Sequence, residues 1–165
     1  MLGERLMDGM AATTTPGYSH TQKAPLCLIL FGSALVCMVL ARMVSDTPGI
    51  YIAGGISLLI ALLTPAFYHL TVVDQGESLA IRFGPIPLFR RTVWYADIDG
   101  VEVGRTLILD GWGIHMSIRG GWVWNLWGRD CVVVHWKTGG VLQVGSDDAE
   151  NLARFLEGKV SQRSS

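Results

Sequence analysis

The residues of this chain best suited to moving protons are four histidines and one knot of carboxylates. The histidines are His20, His69, His115 and His135. None lies in an HExxH pattern or pairs closely with a cysteine or aspartate, so no zinc or general-base spacing emerges. His115 and His135 alternate with apolar residues in strand-like runs, which turns them toward solvent or a hydrogen-bond partner. Asp147, Asp148 and Glu150 open a helical pattern, where capping accounts for them. Asp97 and Asp99 sit at a strand junction and read as turn residues. GxSxG, the Walker loop and GxGxxG are all absent. The three cysteines, Cys27, Cys37 and Cys131, show neither metal-ligand nor disulfide spacing and read as small buried hydrophobes in a reducing compartment. The expectation is therefore no catalytic residue, no metal, no cofactor and no enzymatic turnover.

A second constellation is aromatic. Residues 111–130, GWGIHMSIRGGWVWNLWGRD, hold Trp112, Trp122, Trp124 and Trp127, four of the six tryptophans of the chain. Such side chains close the end of a small domain, enter a membrane interface, or anchor a protein partner. Stacking on nucleic acid would need a basic groove, and the net charge of −1 provides none. Trp122, Trp124 and Trp127, with Arg82, Arg90 and Arg91, are the candidate partner or membrane contacts.

The elements that must position these residues follow from composition. The 165 residues suffice for one modest domain, yet 50% are hydrophobic and only 16% charged, against about 25% charged in soluble domains. Two apolar runs explain the imbalance: LCLILFGSALVCMVLA, residues 26–41, and GIYIAGGISLLIALLTPAFYHL, residues 49–70. Each approaches the roughly 20 residues a transmembrane helix needs. They imply spans over 25–44 and 49–70, joined by a tight turn at SDTPG, with Pro65 kinking the second. Gly32, Ser33 and Ala34 on one span, and Gly54, Gly55 and Ser57 on the other, are small enough for close helix packing. Gly54 and Gly55 also offer a surface for another membrane protein or for self-association. Tyr51 and Tyr68 mark the ends of the second span. Arg5, Lys23, Arg82, Arg90 and Arg91 flank the spans on the side of the two termini. This places both termini in the cytoplasm, in a multi-pass protein of the cell membrane. Residues 1–24 lack periodicity and are expected to be a disordered tail, with 161–165 a second short tail.

Residues 71–160 change character. Seven strand-like runs alternate with turn signals: LTVV, SLAIRF, RTVWY, IDGVEVGR, GIHMSIR, CVVVHWK and VLQVG. Leu79, Ile81 and Phe83 should share a buried face, and Ile98, Val101 and Val103 should point inward around an irregularity at Gly100. SDDAENLARFLEGKV then reads as a capped amphipathic helix, its apolar stripe formed by Ala149, Leu152, Ala153, Phe155, Leu156 and Val160.

Seven short strands followed by one helix resemble the pleckstrin-homology (PH) order. IRFG, the ADI element at residues 96–98, the GWGIH turn and the ending GGVLQVGSDDAENLARFL resemble the bacterial PH-like domains that hang from membrane helices. The resemblance implies a membrane helical hairpin followed by a mainly β, PH-like barrel or sandwich with a C-terminal capping helix. It implies a non-enzymatic binding or scaffold module at the cytoplasmic membrane surface, with membrane lipid as a partner. The alternative is an accessory subunit of a membrane enzyme or transporter, packing through its helices. One departure matters. The turn between the first two strands is the acidic DQGE, where a phosphoinositide-binding domain needs basic side chains.

Overall fold

The structure is a computed structural model that describes residues 17–43, 47–86, 88–107, 111–118 and 120–164. The tail over residues 1–16, part of the SDTPG turn at 44–46, and Arg119 lie outside the described residues.

An uncharged run ending in one arginine forms α1, Leu26–Met43. Its 18 residues span roughly 27 Å, close to a bilayer's ~30 Å hydrocarbon core. Helix α2, Thr47–Leu63, begins with Pro48 in its first turn, where a missing N–H costs nothing. Pro65 does not merely kink it: the chain tightens into a 3-10 segment at Thr64–Phe67, closed by the Tyr68 N–H donating to the Pro65 carbonyl at 3.2 Å. The span therefore ends earlier than its composition implied, and His69 and Leu70 belong to a strand. Both helices, over Leu26–Met43 and Pro48–Phe67, are long and apolar enough to cross a membrane. Only 22% and 17% of these windows is buried, so the rest of the described chain does not wrap the hairpin. The helices pack on each other, and Ala34, Ala41 and Ser57 are among their buried positions. The Ser57 hydroxyl donates to the Ala53 carbonyl at 2.8 Å, which satisfies it within the helix.

The largest correction concerns the segment before α1. Residues 19–23, assigned to a structureless tail, form strand β1, Ser19–Lys23. It pairs antiparallel with β2, His69–Asp74, in register from Ser19↔Val73 to Lys23↔His69. The sequence SHTQK hides this strand because it has no apolar alternation: Gln22 is its one buried side chain. Strands β3, Ser78–Phe83, and β4, Arg90–Trp94, complete an antiparallel sheet ordered β1-β2-β3-β4.

A 3-10 corner at Tyr95–Asp97 leads to β5, Ile98–Arg105. There follow β6, Gly113–Met116, β7, Trp122–Asn125, β8, Asp130–Trp136, and β9, Val141–Gly145. The second sheet is ordered β5-β8-β9-β7-β6, antiparallel except where β7 runs parallel to β9. The fold is thus a two-sheet sandwich and not a closed barrel. Its nine described strands exceed the expected seven by β1 and β7. WVWN is too short and too closely bounded by glycines to declare itself as a strand.

The core meets expectation more closely. Leu79, Ile81 and Phe83 are fully buried and pack with Leu70, Val72 and Val93 against Val132, Val134, Leu142 and Val144 of the opposite sheet. The register of β5 on β8 shifts between Ile98 and Gly100, but Val103 faces outward. Helix α3, Ala149–Ser164, runs through 161–164, which were expected to be a short tail, and covers β5, β8 and the 3-10 corner with Ala149, Leu152, Ala153 and Leu156 buried. Just ahead of the helix the Ser146 Oγ accepts the Asp148 N–H at 3.0 Å, and the Asp148 carbonyl accepts the Leu152 N–H at 3.1 Å.

Candidate interaction surface at the helix-bearing rim

Because α1 and α2 are spliced between β1 and β2, one end of the first sheet carries the helices. Lys23, His69, Phe83 and Arg90 lie at that end, and Ser19, Asp74, Ser78 and Trp94 at the other. The described residues of the β3–β4 loop, 84–86 and 88–89, are stitched onto the helix-bearing rim. The loop's base is closed by the Phe83 N–H donating to the Phe89 carbonyl at 2.9 Å. The Gly84 N–H donates to the His69 carbonyl at 2.7 Å. Gly84 has φ +67°, and a Cβ there would stand 2.6 Å from the Ala66 carbonyl oxygen and 2.7 Å from that of Pro65. Only glycine fits this approach. Phe67, the last residue of the 3-10 segment, lies 5.6 Å from the Phe83 ring and 5.7 Å from that of Phe89. Such aromatic packing makes loop and helix end one rigid corner.

Arg82 and Arg90 are direct cross-strand partners, both exposed, on the outward face below this loop. Arg91 points to the sandwich margin instead. It is half-buried, its guanidinium stands 5.9 Å from the Trp136 ring, and burial lowers its pKa. The three arginines line one groove of about 270 Å³ with Gln75 and Thr92. Among the described residues no carboxylate pairs with Lys23, Arg82, Arg90 or Arg91. The acidic side chains of the first sheet lie at the far end and are engaged there. Asp74 accepts from Tyr95 Oη at 2.7 Å and holds Lys159 Nζ at 3.2 Å, while Glu77 pairs with Arg163. Burial alone would raise the Asp74 pKa, but the bonds from Tyr95, the Gly76 N–H and Lys159 outweigh it and depress it.

The tryptophans divide. Trp124, 8% exposed, is core, its ring 5.8 Å from that of Phe83. Trp127 packs on the core edge, stacks on Trp112 at 4.2 Å, and its carbonyl accepts from Gln22 Nε2 at 3.1 Å. Trp122, 44% exposed, sits opposite Met116 and on the same face as Trp124, one turn of alternation further along. The structure brings Trp124 and Trp127 into the body of the fold and leaves Trp122, with Met116 and Ile118, on the surface.

The proton-moving residues pair structurally. His20 Nε2 meets Asp147 Oδ1 at 2.6 Å, and Tyr18 Oη donates to Asp148 Oδ2 at 3.1 Å while its ring stacks on Phe155 at 5.5 Å. These contacts tie β1 to the start of α3. His135 meets Glu102 at 3.1 Å across β8 and β5. Among the described residues no group of three or more His, Cys, Asp or Glu side chains is placed to hold a metal ion. Within the hairpin, a Cβ added at Gly54 or Gly55 would meet nothing within 4 Å, so neither glycine makes a close contact with α1. They border a groove of about 330 Å³ with Met38, Ala41, Arg42, Ile50 and Tyr51.

Sequence reasoning missed Ile86 and Leu88. The signal was available in IRFGPIPLFRR: a strand turn that is apolar where turns are usually polar, bracketed by arginines. No family model matches the chain, and a search of curated proteins finds no significant relative.

Proposed function

We propose that this chain is an integral membrane protein whose sandwich is a PH-like binding or scaffold module held at the cytoplasmic membrane surface. The observation that carries this reading is the splice of an apolar hairpin between two paired strands. Lys23 and His69 lie side by side in one sheet, so the chain leaves and re-enters the domain on the same side. A hairpin that crosses the bilayer must then cross it twice. Lys23, Arg82 and Arg90 collect at the helix-bearing rim, which favours the cytoplasmic side.

The strand order supports the PH-like part. Strands β1 to β4, then β5, β8 and β9, then α3, give seven strands and a C-terminal helix, with β1 in the count where the sequence reading had GIHMSIR, so that DQGE joins the second and third strands and not the first two. The α1–α2 hairpin is then an insertion between β1 and β2, and β6–β7 an insertion between β5 and β8. In this reading the pairings of His20, His135, Tyr18 and Asp74 tie elements of the fold together. Alkaline carbonate extraction of native membranes tests the anchoring, and the chain is expected to stay in the pellet. Protease added to inverted vesicles should cut the exposed end of α3, and added to right-side-out vesicles should spare it. Release by carbonate, or the opposite protease pattern, would refute the reading.

The open face at Gly54 and Gly55 favours a second reading, an accessory subunit that packs on a larger membrane complex. Its test is co-purification in mild detergent: Gly54→Leu with Gly55→Leu abolishes the complex if the hairpin makes the contact and leaves it intact if the sandwich does.

A further inference from the structure

We propose that the β3–β4 loop is a membrane wedge, in which Ile86 and Leu88 enter the acyl boundary while Arg82 and Arg90 take the phosphates of anionic lipids. This deepens the reading above and rests on the hairpin crossing a bilayer.

Three observations point to it. The first is height. The loop is bonded to Phe67, which ends the second apolar span and packs between Phe83 and Phe89, and to His69, two residues beyond it, through the Gly84 N–H. Whatever depth Phe67 has, the loop shares. The second is composition. Ile86 and Leu88 are 57% and 58% exposed in the loop, apolar side chains turned to the surroundings of the domain. Exposed aliphatic tips on a rigid turn favour the headgroup–acyl boundary over water. The third is charge. Arg82 and Arg90 stand one strand-step below the Phe83–Phe89 pair at the loop's base with no carboxylate partner among the described residues, and Lys23 adds a further cation on the same rim. Near an anionic leaflet such residues each contribute measurably. The acidic DQGE turn lies at the far end of the same sheet, so the sheet presents its basic end to the lipid and its acidic end away.

The wedge would do what a two-helix anchor alone does not: fix the tilt of the sandwich relative to the bilayer, and make that tilt depend on anionic lipid.

The test uses the full chain reconstituted in vesicles, with Cys27, Cys37 and Cys131 changed to alanine and a single Ile86→Cys carrying an environment-sensitive fluorophore. Glu77→Cys at the far end is the reference. In phosphatidylglycerol-containing vesicles the label at 86 is expected to be quenched by spin-labelled acyl chains and protected from iodide by about tenfold relative to 77. Arg82→Ala with Arg90→Ala should lower that protection by about tenfold in anionic vesicles and little in pure phosphatidylcholine. Iodide access at 86 equal to that at 77 overturns the wedge, as does a label shielded from both quenchers, which would mean protein covers it. The native chain gives an independent check: amide exchange over residues 84–89 should slow in anionic relative to neutral bilayers, and equal rates count against the proposal. A chain that leaves the vesicles in carbonate refutes the membrane reading itself, whereas a retained chain with an iodide-accessible loop refutes the wedge alone.

Discussion

Lys23 and His69 are directly opposed across β1 and β2, although the whole helical hairpin lies between them in the chain. The hairpin is therefore an enlarged strand connection. Replacing residues 24–68 with Asn-Gly, which suits a two-residue turn, should yield a water-soluble sandwich with native amide dispersion. Leu26 and Phe67, which pack on the core, are lost with the hairpin, so stability should fall by about 2–5 kcal/mol. A chain beginning at Leu70 should behave worse, because it uncovers the edge of β2 and removes the Tyr18 and His20 ties to α3. A better-behaved shorter chain would show β1 to be dispensable.

The tryptophans are separable by stability. Trp124→Ala empties a core position beside Phe83 and should cost about 3–5 kcal/mol. Trp122→Ala removes a half-exposed ring and should change stability by no more than about 0.5 kcal/mol. Denaturant titration of the two variants checks this. Only Trp122→Ala is then a clean probe of surface contacts, since the other change damages the fold.

Acid should weaken the far end of the sandwich. The Asp74 side chain is 6% exposed and its pKa is depressed. Its contribution is present above the unfolded carboxylate pKa of about 3.9 and is lost as pH falls through the lower folded value. Asp74→Asn should therefore flatten the acid limb of a plot of Tm against pH, and cost about 1–3 kcal/mol at neutral pH. An unchanged acid limb would place the acid sensitivity elsewhere.

Cys131 should be inert. It is fully buried, and burial first, then the neighbouring Asp130 carboxylate, push its thiol up to about 11. At pH 8 its thiolate population is lower than that of a free thiol by about two orders of magnitude. Alkylation followed by mass spectrometry should label Cys131 in the denatured chain and spare it in the native one. Rapid native labelling would mean that β8 opens.

The elements most legible in the sequence were those with strong periodicity. SLAIRF places Leu79, Ile81 and Phe83 as its alternation requires, and the stripe of α3 from Ala149 to Leu156 faces the core. The apolar helices were visible by length, with the end of the second misplaced because Pro65 tightens the chain before Tyr68. What stayed hidden depends on distant partners. Strand β1 is polar and exists through its pairing with β2, and WVWN becomes a strand because β9 lies parallel to it. Among the candidate contacts, Arg82 and Arg90 lie together at the rim, whereas Arg91 and Trp124 turn inward. Burial of that kind is decided by tertiary packing and leaves no mark in residue type.

The splice at β1 also orders events during synthesis. Strand β1 leaves the ribosome first, and its partner β2 follows only after both helices have been made. At about 5–20 residues per second, β1 stays alone for on the order of several seconds. On the proposed reading of the hairpin as two membrane crossings, the sandwich closes only if the translocation machinery returns the chain to the side where β1 waits. A hairpin inserted once instead of twice would strand β1 and β2 in separate compartments and leave the domain unfinished. Completion of the sheet thus reports correct insertion, and an inserted chain with an odd number of crossings should appear as a substrate for quality-control proteolysis in a pulse-chase experiment.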